Sequence, residues 1–307
     1  MQYQCAMGKW VRGGLLAAGL VLLIGSAEAQ STAQKPEKND KTSGSERFVR
    51  LTRNDDKKIT GLQTSVVRYT SPKKPGVVVD LVGVVHLGEK EYYKKLNERF
   101  AKEYDAVLYE LVAPKGAIPQ PNAGTGNPIG FLQRGMTRLL ELEFQLDAID
   151  YTRKNFVHAD LTPDEFLKAM RDRNESFWTI AMRMMKASIK QELEGKKEKV
   201  SEWDVLRALL ARDRSQQLKR LMAGQLVDME SQMEAIEGPN GSTLISARNE
   251  KALKVLEEQI AGGKRRLAIF YGAGHMTDFD RRLTEKMGYR RGKTEWLTAW
   301  RIDADGK

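Results

Sequence analysis

Cysteine is almost absent from this chain: the 307 residues hold one, Cys5, and three histidines, His86, His158 and His275. A lone cysteine excludes an intrachain disulfide framework and a thiolate metal cluster. Cys5 precedes the apolar run Gly13–Gly25 instead of closing it, so it is not placed as a lipoprotein acylation site. Signature motifs are missing too. There is no His-Glu-x-x-His, no Gly-x-Ser-x-Gly, no P-loop and no dinucleotide-binding glycine fingerprint. Without a reactive cysteine or a nucleophile elbow, covalent catalysis lacks a carrier, and an activated water is the simpler chemistry. Aromatic-rich basic strands of the RNA-binding type are also lacking, and the cations alternate with acids along helical stretches such as Lys186–Lys199. Nucleic acid is therefore not an expected partner.

Apolar runs long enough to span a bilayer are lacking as well. Gly13–Gly25 is apolar but short, it follows Lys9 and Arg12, and it leads to Ala27-Glu28-Ala29. That order reads as a signal peptide over residues 1–29, exported to the periplasm or the extracellular space. An uncleaved anchor, with membrane-surface association through this segment, is the alternative. Its removal takes two cations and one acid, a net +1, from the formal +10 and leaves +9. Residues 30–46 are polar, without apolar periodicity, and read as a flexible linker. The remainder, residues 47–307, with 41% hydrophobic and 30% charged residues in the chain as a whole, reads as one globular domain.

What is present is organised around two matched stretches. Val77–His86, VVVDLVGVVH, and Leu267–His275, LAIFYGAGH, are apolar runs that end in Gly-x-x-His, and each precedes an amphipathic helical pattern. Phe48–Leu51 and Ser65–Tyr69 read as short strands before the first run. After it, Tyr92, Leu96 and Phe100 recur four apart on a helix, and Ala106–Val112 reads as the next strand, so strand, helix and strand form a parallel crossover. Pro114–Pro128 is a loop at the end where open α/β sheets bind ligands. Residues 129–148 read as helix and Asn155–Asp160 as a short strand. Thr162-Pro163-Asp164-Glu165 opens a nearly continuous helical stretch, and residues 129–237 as a whole read as a helical insertion or cap. Leu244–Ala261 is a further helix, and Glu295–Ile302 a closing edge strand. The expected fold is α/β: a mixed, largely parallel central sheet flanked by helices, with a helical cap.

Chemistry is expected where the two runs end. A histidine at the carboxyl end of a buried strand projects into the crevice outside the sheet, where imidazole serves as metal ligand or general base. Gly83, Gly272 and Gly274 let the backbone turn and a ligand approach. Glu110 interrupts an apolar strand, a costly place for a carboxylate unless it is paired or binds a cation. Arg248 heads the stripe Arg248, Ala252, Leu256, Ile260, with Asn249 beside it; a guanidinium there suits an anion, a carboxylate such as Glu110, or a developing oxyanion. His158 and Asp160 form a weaker His-plus-acid pair, in second rank.

The set Gly83-Val84-Val85-His86-Leu87-Gly88, Leu108-Tyr109-Glu110-Leu111, Ala247-Arg248-Asn249 and Gly272-Ala273-Gly274-His275-Met276, ending in Gly288-Tyr289, resembles the TraB/GumN family, with the Tiki peptidases and the erythromycin esterase/ChaN-like superfamily. The resemblance covers about residues 77–290, its motifs only the first and last parts of that span. It implies an α/β fold with both histidines and the glutamate at one site. It also implies a metal-dependent peptidase, with His86, His275 and Glu110 as ligands or catalytic base for a divalent ion (manganese, cobalt or zinc) and Arg248 and Asn249 steadying substrate. The leading expectation is thus an exported hydrolase acting on a peptide or protein substrate. A metal-independent esterase-like hydrolase and a non-enzymatic haem-binding, ligand-binding or partner-sequestering protein are the alternatives.

Overall fold

The computed structural model describes residues 48–119, 135–193, 201–237 and 241–303. The signal-peptide and linker readings, with the anchor alternative, lie outside them, as does most of the Pro114–Pro128 loop. Among the described residues no helix is long and apolar enough to cross a membrane.

The protein is α/β, a mixed sheet with mostly parallel strands flanked by helices. Strands β1 (Val49–Arg53) and β2 (Ile59–Thr70) form an antiparallel hairpin. β2 also pairs antiparallel with β3 (Val78–Val84) and with the edge strand β9 (Arg290–Arg301). A two-residue strand β4 (Leu87–Gly88) pairs with β6 (Glu143–Phe144) in a small second ladder. The parallel part contains β3, β5 (Ala106–Tyr109), β7 (Phe156–His158) and β8 (Arg266–Gly272), in the spatial order β3-β8-β5-β7. β3 and β5 are parallel members of one sheet, but β8, the latest of the four in sequence, lies between them. The two Gly-x-x-His runs are therefore direct neighbours: Gly83 is opposite Tyr271 and Val84 opposite Gly272.

Both faces of the parallel part are covered, which is why its strands are apolar without alternation. Val82, Val84, Val107 and Phe270 point to one side, against Tyr92, Tyr93, Leu96 and Phe100 of α1 (Lys90–Glu103). Val79, Leu81, Leu108 and Ile269 point to the other, against Ala252, Leu253, Leu256 and Ile260 of α7 (Arg248–Ala261). The period-two split in β3 and β8 follows from the alternation of Cβ directions along a strand.

The expected helix over 129–148 is replaced, in its described part, by helical residues 135–140, strand β6 and the short α2 (Gln145–Ala148). Thr162 and Glu165 form a reciprocal capping box with Pro163 inside the first turn, so α3 (Pro163–Asp172) starts where its signature lies. The cap continues as α4 (Phe177–Leu193), α5 (Glu202–Leu210) and α6 (Arg214–Ile236), with α4 and α5 packed on α6. α6 in turn packs against the Ala273–His275 turn after β8. Beyond the cap the expected helix 244–261 divides into a π-turn, Thr243–Ala247, and α7. α8 (Met276–Arg281) follows β8 and buries Met276 and Phe279, with Leu283 just beyond.

Candidate functional site at the carboxyl edge of the parallel strands

Each of the four parallel strands delivers one candidate residue just past its carboxyl end: His86 after β3, Glu110 after β5, Asp160 after β7 and His275 after β8. Glu110 does not interrupt its strand. β5 stops at Tyr109, and Glu110, whose N–H still donates to Phe270 O at 3.2 Å, is the first residue to leave the sheet. Arg248 and Asn249 enter from the opposite side, as the first residues of α7.

The centre of the cluster is a buried guanidinium. Arg248 donates from Nε to both oxygens of Asp160 (3.0 and 3.2 Å) and from Nη2 to Asp160 Oδ2 (2.6 Å) and Glu110 Oε1 (2.6 Å). Asp160 is wholly buried, its side chain 0% exposed. Arg248 is buried rather than reaching for solvent; burial disfavours its charge, but Asp160 and Glu110 outweigh that and raise its pKa further. Burial likewise opposes the charge on Glu110. Arg248 first, then His275 and His86, overcome it and hold the carboxyl well below the usual carboxylate range. The second Glu110 oxygen accepts the Gly272 N–H at 2.7 Å.

Hydrogen-bond partners fix both imidazoles. Asn249 Nδ2 donates to His275 O (3.2 Å) and Asp278 Oδ2 (2.9 Å), so its Oδ1 faces His275 Nδ1 at 2.6 Å. An acceptor there puts the hydrogen of a neutral His275 on Nδ1 and leaves Nε2 bare. Gln145 does the same for His86: its Nε2 donates to Tyr151 Oη and its Oε1 meets His86 Nδ1, both at 2.9 Å. The backbone N–H of Gln145 also donates to His86 O at 2.9 Å. Both rings are thus held at Nδ1 by an amide oxygen. His275 Nε2 lies 3.5 Å from Glu110 Oε1 and 3.4 Å from Arg248 Nη1. His275 is buried and His86 exposed, so the cluster opens to solvent on the β3 side.

Gly272 keeps this geometry possible through space, not through an unusual turn. A Cβ there would stand 3.3 Å from Glu110 Oε2 and 3.9 Å from His86 Nε2. Its φ is −51°, and neither Gly83 nor Gly274 has a positive φ. Gly274 lies within the Ala273–His275 turn that Gly272 precedes, while Gly83 lies inside β3.

The second-rank pair divides. Asp160 belongs to the cluster, whereas His158 bonds the Leu111 carbonyl through Nε2 at 2.6 Å and packs on Tyr109. Gln145 escaped sequence reasoning, because it lies in a stretch read as ordinary helix and nothing in its local pattern points to His86.

Among the described residues no three His, Cys, Asp or Glu side chains form a ready metal-ligand group. The donor chemistry nonetheless fits a divalent ion. Two imidazoles, each held at Nδ1 by an amide side chain, lie beside a carboxylate kept ionised, and His275 Nε2 is 3.5 Å from Glu110 Oε1. These features define an α/β protein with a charged, histidine-bearing site at the carboxyl edge of its parallel strands. Comparison with protein-family models, curated proteins and solved structures finds no match in any of the three.

Proposed function

We propose that the protein is an exported hydrolase that activates water at the His86–Glu110–His275 cluster to cleave an acyl bond, with peptides as the leading substrate class. One observation carries this reading: two histidines that follow neighbouring strands, each held at Nδ1 by an amide side chain, lie beside one ionised carboxylate. The TraB/GumN-like motifs point the same way, and the signal-peptide pattern of residues 1–29 supports export.

The residues divide the work by exposure and charge. A carboxyl held as low as that of Glu110 is a weak base, so proton abstraction falls to an imidazole. His86 is the base by access, since it is exposed while His275 is buried. Gln145 keeps the His86 ring in the tautomer that accepts at Nε2 and steadies the imidazolium formed when it takes a proton. Arg248 commits Nε and Nη2 to Asp160 and Glu110, but Nη1 makes only long contacts, 3.5 Å to Leu244 O and 3.4 Å to His275 Nε2. Its N–H groups are what remains for a developing oxyanion. Asn249 holds His275. His86, His275 and Glu110 would hold a divalent ion, which supplies Lewis acidity and a more acidic water when bound.

A second reading keeps these roles without an ion. It is favoured by the Arg248 guanidinium, which already sits where a cation would face Glu110 and His275. The test is cleavage of a peptide and ester library by chain loaded with manganese, cobalt or zinc, and again after chelation. Cleavage abolished by chelator and by His86→Ala supports the metal form. Cleavage that survives chelator but not His86→Ala supports the second. A library left uncut by every form removes the hydrolase reading.

A further inference from the structure

The cap carries an apolar face that nothing in the described structure covers. On α5, Trp203 is 69% exposed and Leu210 78%, with Val205, Leu206 and Leu209 also exposed. Ala208 alone among its apolar side chains is buried, against the α6 side of the cap. Trp203, Leu206 and Leu210 recur at i, i+3 and i+7 and so share one stripe. α4, on the same supporting helix, presents Trp178, 72% exposed, and Met185. A large exposed apolar patch on a folded chain marks a contact surface.

Charge indicates what lies on it. The acids of α5, Glu202 and Asp204, sit in its first turn, where Asp204 is bound into a capping box with Ser201. The other end is basic: Arg207 on α5 and Arg212 and Arg214 just beyond it are exposed. The chain as a whole is +10. Tryptophan and leucine on one face with arginines beside them suit the boundary of an anionic lipid layer, where indole sits at headgroup depth and guanidinium meets phosphate. A copy of the chain fits less well. A nine-residue helix is about 14 Å long and about 10 Å across, which falls short of the roughly 800 Å² per partner that a stable dimer buries.

We propose that α5 docks this protein on an anionic phospholipid surface, with Trp203, Leu206 and Leu210 seated among the lipids and Arg207, Arg212 and Arg214 on the headgroups. The proposal is independent of the chemistry at the strand ends and of whether residues 1–29 are retained.

The test uses the full chain and vesicles of zwitterionic phospholipid with and without an anionic phospholipid. The Trp203 signal is read as the difference between wild type and Trp203→Phe. With anionic vesicles that signal shifts to the blue and is quenched by brominated acyl chains, and added salt weakens both effects. In Leu206→Glu/Leu210→Glu, checked for an unchanged circular dichroism spectrum, partitioning falls at least about tenfold. Vesicle binding with an unchanged Trp203 signal assigns it to another segment and overturns the proposal. So does a double variant that partitions like wild type. A dimer in solution that the double variant dissociates gives the face to a second copy instead.

Discussion

Asp160 holds the guanidinium at the centre of the cluster. Its carboxylate is completely buried and takes the guanidinium of Arg248 in a two-pronged grip, which aims Nη2 at Glu110 and Nη1 at His275. Removing one partner of a buried pair leaves the other charge uncompensated, at a cost of about 3–5 kcal/mol. Asp160→Asn is expected to lower unfolding stability by that amount in denaturant titration, a larger loss than that of His158→Asn, whose ring lies outside the cluster. Gly272 sets the opposite kind of constraint. Gly272→Ala, at an ordinary φ of −51°, is expected to change stability by no more than about 1 kcal/mol while adding a methyl 3.3 Å from Glu110 Oε2 and 3.9 Å from His86. Activity or ligand binding at His86 should therefore fall in a protein that still folds, and an unimpaired variant would remove Gly272 from the site. Glu110 adds a pH signature. Its folded-state pKa is depressed, so its contribution to stability is complete above the unfolded-state value near 4.5 and is lost as pH falls through the folded value. Below about pH 4.5 wild type should lose stability more steeply than Glu110→Gln, which has no such proton to take up, as paired acid-unfolding curves would show.

The π-turn Thr243–Ala247 is what delivers Arg248 and Asn249 side by side to the cluster. Helix starts carry unsatisfied N–H groups, and here the cap supplies their acceptors: Glu175 Oε2 takes the Thr243 N–H at 2.8 Å and Glu237 Oε1 the Ser246 N–H at 3.0 Å. Ser242 caps from within, its Oγ accepting the Ile245 N–H at 3.1 Å. Ser242→Ala is expected to cost about 1 kcal/mol, the usual loss of an N-cap, and to lower turnover as well, because Arg248 follows one turn later. A variant with normal turnover would show that α7 positions Arg248 without help from the turn. This element also marks how far the sequence could be read. The α7 stripe Arg248, Ala252, Leu256, Ile260 was legible because a 3.6-residue period survives any tertiary context, and all four residues are buried. The π-turn before it was not, since the acceptor of its first N–H, Glu175, lies 68 positions away in the chain. The same holds for the short ladder β4–β6 and for Gln145: two-residue strands have no period, and a glutamine chosen by a histidine 59 positions away leaves no local trace.

At the scale of the whole molecule, one topological choice makes the site. The order β3-β8-β5-β7 inserts the latest of the four parallel strands between the first two, so residues 86, 110, 160 and 275 meet at one rim although 189 positions separate the first from the last. The matched Gly-x-x-His runs announced both histidines, but adjacency of their strands is a property of the sheet and not of either run. Asp160 was underrated for the same reason, because its partner Arg248 lies 88 residues on. Four separate loops held at one edge have a thermodynamic consequence. A ligand that bridges His86, Glu110 and His275 binds only when β3, β5 and β8 are all in place, so its binding energy becomes folding stability. At 100 times its dissociation constant the gain is about 2.7 kcal/mol. Manganese, cobalt or zinc is therefore expected to raise the thermal midpoint of wild type by several degrees, and chelator to reverse the rise. His86→Ala/His275→Ala should show no rise, while His158→Ala, whose imidazole bonds Leu111 O instead, should keep it. An equal rise in the double variant would place the ion elsewhere on the chain. No rise in wild type with any of the three ions would remove them from the proposed site and leave the metal-free reading.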